Sequence, residues 1–315
     1  MGKNTGIGWC DFYGPGTGAT WNPFAAFNKE TQERGWACNK IGPGCRLCYA
    51  ETMNVEKPFG MGTALPYIPD SFKKVDIKLV NLDEPIRWKK PRGIFICSMT
   101  DLFLEHYDKY LDTIFTVVQL SPQHTFITMT KRFNRWFNYM FSTREEDLVI
   151  PGYLQASAIQ AALMRPVDPF PFLSHVIYGL TINTQAEAET AFPLVRRVKQ
   201  RWPSIRIAIS NEPALEPINW VGWQSFVDWM IVGGESGAAD KKPVVANERY
   251  VRYTKNWCQE HNIAFFFKQW GGHPNPDKHP RLDGAIYEEF PGQKPHGSYA
   301  HQHHPAGSQP VGVGC

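Results

Sequence analysis

Residues 176–183 read Val176-Ile177-Tyr178-Gly179-Leu180-Thr181-Ile182-Asn183, and the stretch that follows, 184–202, carries Ala188, Phe192, Val195 and Val198 at helical spacing. A short run without polar alternation is what a strand buried on both faces looks like. An amphipathic stretch directly after it is the crossover helix that a parallel neighbour requires. The same rhythm recurs along the chain. Apolar runs stand at Ile94–Cys97, Thr125–Met129, Ile205–Ile209, Trp229–Val232 and Ile263–Phe267. Helical spacing is found over 105–120 (Tyr107, Leu111, Ile114, Val118) and over 247–261 (Tyr250, Val251, Tyr253, Trp257). Alternating strands and helices predict an α/β fold with a parallel sheet. With a possible first strand near Gly6–Trp9, the count points to a TIM-barrel-like parallel (β/α) barrel, complete or partial. The alternative is an open doubly wound sheet, but no Gly-x-Gly-x-x-Gly follows any of the strands. One barrel domain is expected over 1–271, including an irregular cysteine-rich loop at 10–57. Residues 272–315, rich in Pro, Gly and His, read as a covering loop and a disordered tail.

Composition narrows the function classes. Lys plus Arg is 33 against 30 for Asp plus Glu, a net charge of +3 that is too small for a protein that coats nucleic acid but leaves room for a basic cleft. Hydrophobic residues at 43% and charged residues at 20% exclude a wholly disordered chain. No apolar run reaches about 18 residues, so no transmembrane helix and no membrane partner is expected. Met1 to Cys10 lacks the apolar core of a secretory leader. Seven cysteines without such a leader suggest a reducing compartment, the cytoplasm.

Each strand run ends in a polar cluster: Ser98-Met99-Thr100-Asp101, Thr130-Lys131-Arg132, Thr181 with Asn183, Asn211-Glu212-Pro213, Gly233-Gly234-Glu235-Ser236-Gly237, and Lys268-Gln269-Trp270-Gly271-Gly272. In a parallel barrel these clusters converge on one mouth, where barrel enzymes place their chemistry. Asp101, Asn183 and Ser236 also suit helix and turn caps. Lys131, Arg132 and Lys268 need either an anion or an ion pair with Glu212 or Glu235. Gly233 and Gly234 allow close approach of a ligand or make a turn. Trp270 offers a ring for stacking or for packing.

The sharpest motif is Cys38-x6-Cys45-x2-Cys48, with Gly42-Pro43-Gly44 before Cys45. Three thiolates on a tight loop suit an iron–sulfur cluster, a zinc site completed by His106, His273 or water, or no metal at all. Cys97 and Cys258 fall within a strand and a helix and read as core residues. The histidines of the tail (His296, His301, His303, His304) read as solvated.

Thr20-Trp21-Asn22-Pro23, the cysteine motif ending Cys48-Tyr49-Ala50-Glu51, Ser98 to Phe103, Thr130-Lys131-Arg132, Asn211-Glu212-Pro213, Trp229 to Gly237 and Phe265 to Gly271 together resemble the three-cysteine-motif phage proteins, a domain-of-unknown-function family. That family is similar to the radical S-adenosylmethionine superfamily. The resemblance implies a barrel, a [4Fe–4S] cluster on Cys38, Cys45 and Cys48, S-adenosylmethionine as a second cofactor, and an electron-donor protein as partner. It also implies an insertion of about ten residues between Trp21 and Cys38.

The leading expectation is therefore an enzyme that modifies a nucleotide or nucleic-acid base. Asp101, Lys131, Glu212, Glu235 and Lys268 are its candidate catalytic groups. Tyr49, Ser98, Asn183, Gly233 and Gly234 are candidates for the cofactor, and Arg132, Gln269 and Trp270 for an anionic substrate. Two rivals stand beside it: a zinc-stapled module that binds nucleic acid or protein, and a hydrolase that recruits Asp101, Glu212 and Glu235 to a divalent metal.

Overall fold

The structure is a computed structural model, and it describes residues 4–141, 173–235, 241–272, 277 and 279–292. In chain order the elements are β1 (Ala19–Trp21), β2 (Phe24–Asn28), β3 (Arg34–Gly35), α1 (Tyr49–Glu56), β4 (Val75–Leu79), α2 (Glu84–Arg87) and β5 (Gly93–Ile96). Then come α3 (Leu111–Gln119), β6 (Thr125–Thr130), α4 (Phe133–Phe141), β7 (Val176–Thr181), α5 (Gln185–Arg201) and β8 (Arg206–Asn211). The chain continues through β9 (Trp229–Gly233), α6 (Glu248–Glu260), β10 (Ala264–Gln269) and the short pair β11 (Arg281–Leu282) and β12 (Ala285–Ile286).

Seven strands form one sheet in the order β1-β5-β6-β7-β8-β9-β10, every neighbouring pair parallel. The order never reverses, so there is no switch point of the doubly wound kind. The sheet curls into a half-barrel whose edges are β1 and β10. All six apolar runs are strands of this sheet. The proposed strand near Gly6–Trp9 is not one: Gly8–Cys10 is a single 3-10 turn, and Ala19–Trp21 is the first strand. Between Trp21 and Cys38 the chain forms the β2–β3 hairpin, which joins β4 in a separate antiparallel sheet of order β3-β2-β4.

Burial on both faces has two separate causes. On the convex face, Ile94, Ile96, Phe126, Tyr178, Leu180, Ile207, Ile209, Met230, Val232, Phe265 and Phe267 pack with helix residues such as Val117, Val195 and Val251. On the concave face, Phe95, Ile127, Ile177, Ala208, Trp229, Ile231 and Phe266 enclose Trp9, Cys10 and Phe12 from the N-terminal turn. Trp9 packs at 4.9 Å on Phe95 with the rings tilted by 58°, and Phe12 meets Trp229 edge-on at 5.6 Å. Gly93 is what lets this segment cross β5, since a Cβ there would stand 2.0 Å from the Cys10 carbonyl oxygen. Phe290 closes the other side, 4.7 Å from Phe12 and 5.7 Å from Trp229. Residues 287–289 run antiparallel to β10, with Phe267 N donating to Tyr287 O and Glu289 N to Phe265 O.

Two helices start where the sequence supplies a side-chain cap. Thr184 and Glu187 form a capping box at the start of α5, and Asn247 accepts from Arg249 N at the start of α6. Among the described residues no helix is long and apolar enough to cross a membrane. Ser236, Gly237, His273 and the histidines of the tail lie outside the described residues.

His124, in the turn that feeds β6, is fully buried, and its Nε2 is 2.9 Å from Pro85 O. Burial lowers its pKa from 6.5 to about 4. A histidine with a depressed folded pKa contributes full stability above pH 6.5 and loses it as pH falls toward 4. Acidification across that window should cost about 3 kcal/mol through this residue, and His124→Gln should flatten the slope in urea unfolding at stepped pH.

Candidate functional site

Period two carries four of the strands from an apolar floor to a polar rim. The concave positions run Ile127, Met129, Lys131 on β6 and beyond, Ile177, Gly179, Thr181 on β7, Ala208, Ser210, Glu212 on and after β8, and Phe266, Lys268 on β10. The last residue of each series borders a cavity of about 450 Å³ at the C-terminal ends of the strands. Trp9, Phe95 and Met129 form its floor, and Cys38, Cys45, Cys48 and Tyr49 border it from the loop between β3 and α1.

The cysteine loop is stitched to the turn after β5. Thr100 Oγ1 and Tyr107 OH each donate to Ala37 O at 2.8 Å, and Arg132 Nη2 donates to Asn39 O at 3.0 Å, so the backbone on both sides of Cys38 is held. Tyr49 OH donates to Ser98 O, and Tyr67 OH to Met99 O at 2.7 Å. Ser98 is itself fixed by Asn22 Nδ2 at 3.0 Å. The three cysteines are free thiols. Burial pushes Cys38 up to about 12, with the Asp101 carboxylate adding to it, and burial also raises Cys48. Cys48 is electrostatically coupled to both Cys38 and Cys45. The thiols share one wall without closing on one point: among the described residues no three His, Cys, Asp or Glu side chains are grouped to hold a metal ion.

Most charges on the wall are matched. Asp101 accepts from Phe103 N at 3.0 Å, Thr130 Oγ1 at 2.7 Å and Lys131 N at 3.1 Å, and lies 3.6 Å from Arg132 Nη1. It therefore ties the turn after β5 to the end of β6, which is the capping role. Glu212 pairs with Lys268 at 3.1 Å and accepts from Ser210 Oγ at 3.2 Å. Glu235, buried, pairs with Arg46 at 2.8 Å and accepts from Val244 N at 3.1 Å. Lys131 is the cation left over: it borders the cavity and forms no ion pair among the described residues. The three carboxylates thus stand apart, each with its own cation.

The remaining expected site residues divide. Gln269 borders the cavity and donates to Gly234 O at 2.8 Å. Gly234 borders it too, but the place of its Cβ is filled by Trp270 O, 2.0 Å away, so backbone packing is what requires glycine there. Gly233 lies behind the Glu212 carboxylate. Asn183 is fully buried behind the wall and donates to Pro213 O at 2.8 Å. Trp270 packs on Phe267 at 4.6 Å and is not among the residues bordering the cavity.

Three residues, Cys97, Arg46 and Ser210, escaped the sequence reading. Cys97 borders the cavity from a left-handed backbone position, φ 61°, where a side chain is held only against steric cost. Arg46, inside the cysteine motif, supplies the cation for Glu235. The period-two extension of β8 was signal enough to place Ser210 in the cavity, but nothing local marks Cys97 or Arg46.

A parallel α/β half-barrel with a three-cysteine loop across its C-terminal mouth is the class that fold and site define. Residues 4–292 match the family described as "Protein of unknown function (DUF5131)", and the chain belongs to that family. No curated protein and no solved structure matches it.

The two kinds of wall residue should separate in unfolding experiments. Asp101→Ala leaves the buried Arg132 guanidinium short of its carboxylate and should cost about 3 kcal/mol in urea melts. Lys131→Ala should stay within about 0.5 kcal/mol of the parent.

Proposed function

We propose that this chain is a radical S-adenosylmethionine enzyme on a partial (β/α) barrel, modifying an anionic substrate of the nucleotide or nucleic-acid-base class. The observation that carries the reading is the convergence of Cys38, Cys45 and Cys48 on one cavity at the C-terminal mouth of a parallel half-barrel. The donor set fits a cluster better than a single ion. Zinc draws its thiolates to about 3.8 Å of one another, from bonds of about 2.3 Å at the tetrahedral angle. A cubane binds each cysteine on a separate iron and so tolerates thiols that share a wall without meeting.

Cys38, Cys45 and Cys48 would hold the [4Fe–4S] cluster, which when bound supplies an iron free of cysteine for S-adenosylmethionine and one electron for its cleavage. The rest is the work of the chain. Lys131 orients an anionic group beside Cys48. The apolar floor of Trp9, Phe95 and Met129 keeps water from the reacting groups. The Glu212–Lys268 pair offers adjacent opposite charges suited to an amino group and a carboxylate. The choice of a nucleotide or base rests on the unpaired Lys131 ammonium and on the resemblance to phage proteins. An electron-donor protein is the partner this chemistry requires.

Anaerobic reconstitution with iron and sulfide should give a brown protein. Its reduced-state EPR signal should shift on adding S-adenosylmethionine and be absent from a Cys38/Cys45/Cys48→Ala variant. A colourless protein with stoichiometric zinc overturns the proposal. Lys131→Ala should keep the cluster and bind adenosine monophosphate about tenfold more weakly, an effect in the range of one charge-assisted hydrogen bond.

A further inference from the structure

The three cysteines are not held alike. Cys38 lies between two anchored carbonyls, Ala37 O and Asn39 O. Cys48 caps α1, whose first residue, Tyr49, is bonded to the turn after β5. Both belong to the near rim, above β5 and β6. Cys45 sits in the short 3-10 turn Pro43–Cys45, and that turn reaches toward the opposite rim. There Gly44 packs against Asn183, leaving no room for a Cβ, which would stand 1.9 Å from Asn183 Oδ1. Gly42 lies beside Glu187 at the start of α5.

The polar tie on that side is made by the residue directly after Cys45. Arg46 Nη2 donates to Glu235 Oε2 at 2.8 Å and to Lys242 O at 3.1 Å, joining residues 189 apart in sequence. The two partners are unequal: the Glu235 side chain is 6% exposed and that of Arg46 50%. A buried carboxylate with a half-exposed cation keeps its place, while the cation's loop is free to leave.

We infer that Arg46 is a positioning residue. Its ion pair with Glu235 fixes the loop that carries Cys45, and so sets where the third thiol stands relative to Cys38 and Cys48. The inference rests on reading Cys45 as a ligand, but the placement itself is testable in protein without iron. The Glu235 side has ties of its own: Oε2 also accepts from Val244 N, and Glu235 N donates to Val244 O at 2.7 Å. The variable part is the arginine and its loop.

The test is thiol labelling of cluster-free full-length protein with iodoacetamide, each cysteine followed by peptide mass spectrometry. In Arg46→Ala, Cys45 should label about tenfold faster, as expected for loss of a charge-assisted hydrogen bond, while Cys38 and the buried Cys10 keep the parent rate. Arg46→Lys should restore most of the protection. In the parent, raising salt to about 1 M, where the Debye length is about 3 Å, should speed labelling of Cys45 alone, and Arg46→Ala should not respond. Unchanged Cys45 labelling in Arg46→Ala, or indifference of the parent to salt, overturns the inference. If Arg46→Ala exposes Cys10 as well, the variant has unfolded and the salt series on the parent decides. Iron loading gives a second, separate readout. If the parent takes up a cluster, Arg46→Ala should bind fewer irons per chain and Arg46→Lys the parental number. A parent that takes up no iron removes the proposed function and leaves the labelling result standing.

Discussion

A curled sheet that does not close leaves its concave face in need of cover, and the rest of this molecule follows from how that need is met. Trp9, Cys10 and Phe12 fill the lower part of the concavity, with Phe290 against them. The filling stops at the level of Met129 and Phe95. Above it the same strands continue for one or two inward positions, and those positions are polar. The cavity is therefore the unfilled upper part of a half-barrel, and its floor is the N-terminal turn itself. A closed barrel would have filled this space with side chains from its own strands.

The strands of the main sheet were legible because burial on both faces removes the alternation that would otherwise blur them. The exceptions are instructive. Gly6–Trp9 has the apolar content of a strand, yet it serves as a plug: Ile7 and Trp9 border the cavity. Ala19–Trp21, the true first strand, is only three residues long and offers no pattern to read. The polar clusters after the strands were legible as a set, since period two and the parallel arrangement bring their ends together. Which of them are structural was not legible. Asp101 reads in sequence like any strand-end carboxylate, and only its neighbours in space show that its oxygens are engaged by β6. Arg46 was invisible for the same reason, its partner lying 189 residues away in sequence.

Electrostatically the site is a series of matched pairs with one charge remaining. Pairing Arg132 with Asp101 and Lys268 with Glu212 secures the wall, because a lone charge at those depths would be costly. Lys131 escapes that constraint by being partly exposed to the cavity. The same arrangement gives each of the three carboxylates its own cation, and among the described residues no three acids are grouped to hold a divalent ion. The cysteine loop stands among these pairs: it is held by Arg132 on one side and contributes Arg46 to the other, so the cations that steady the wall also steady the thiols.

The N-terminal plug has a consequence for how the chain comes to be folded. Trp9 and Phe12 come well before their partners Trp229, Phe266 and Phe290 in the chain. Contacts of such long sequence separation form slowly, because the intervening chain must be closed into a loop first. Until β10 and residues 287–290 are in place, the apolar concave residues of the earlier strands lack part of their cover. A partly made chain thus exposes the apolar surface that later becomes the cavity floor, the kind of surface on which incomplete chains aggregate.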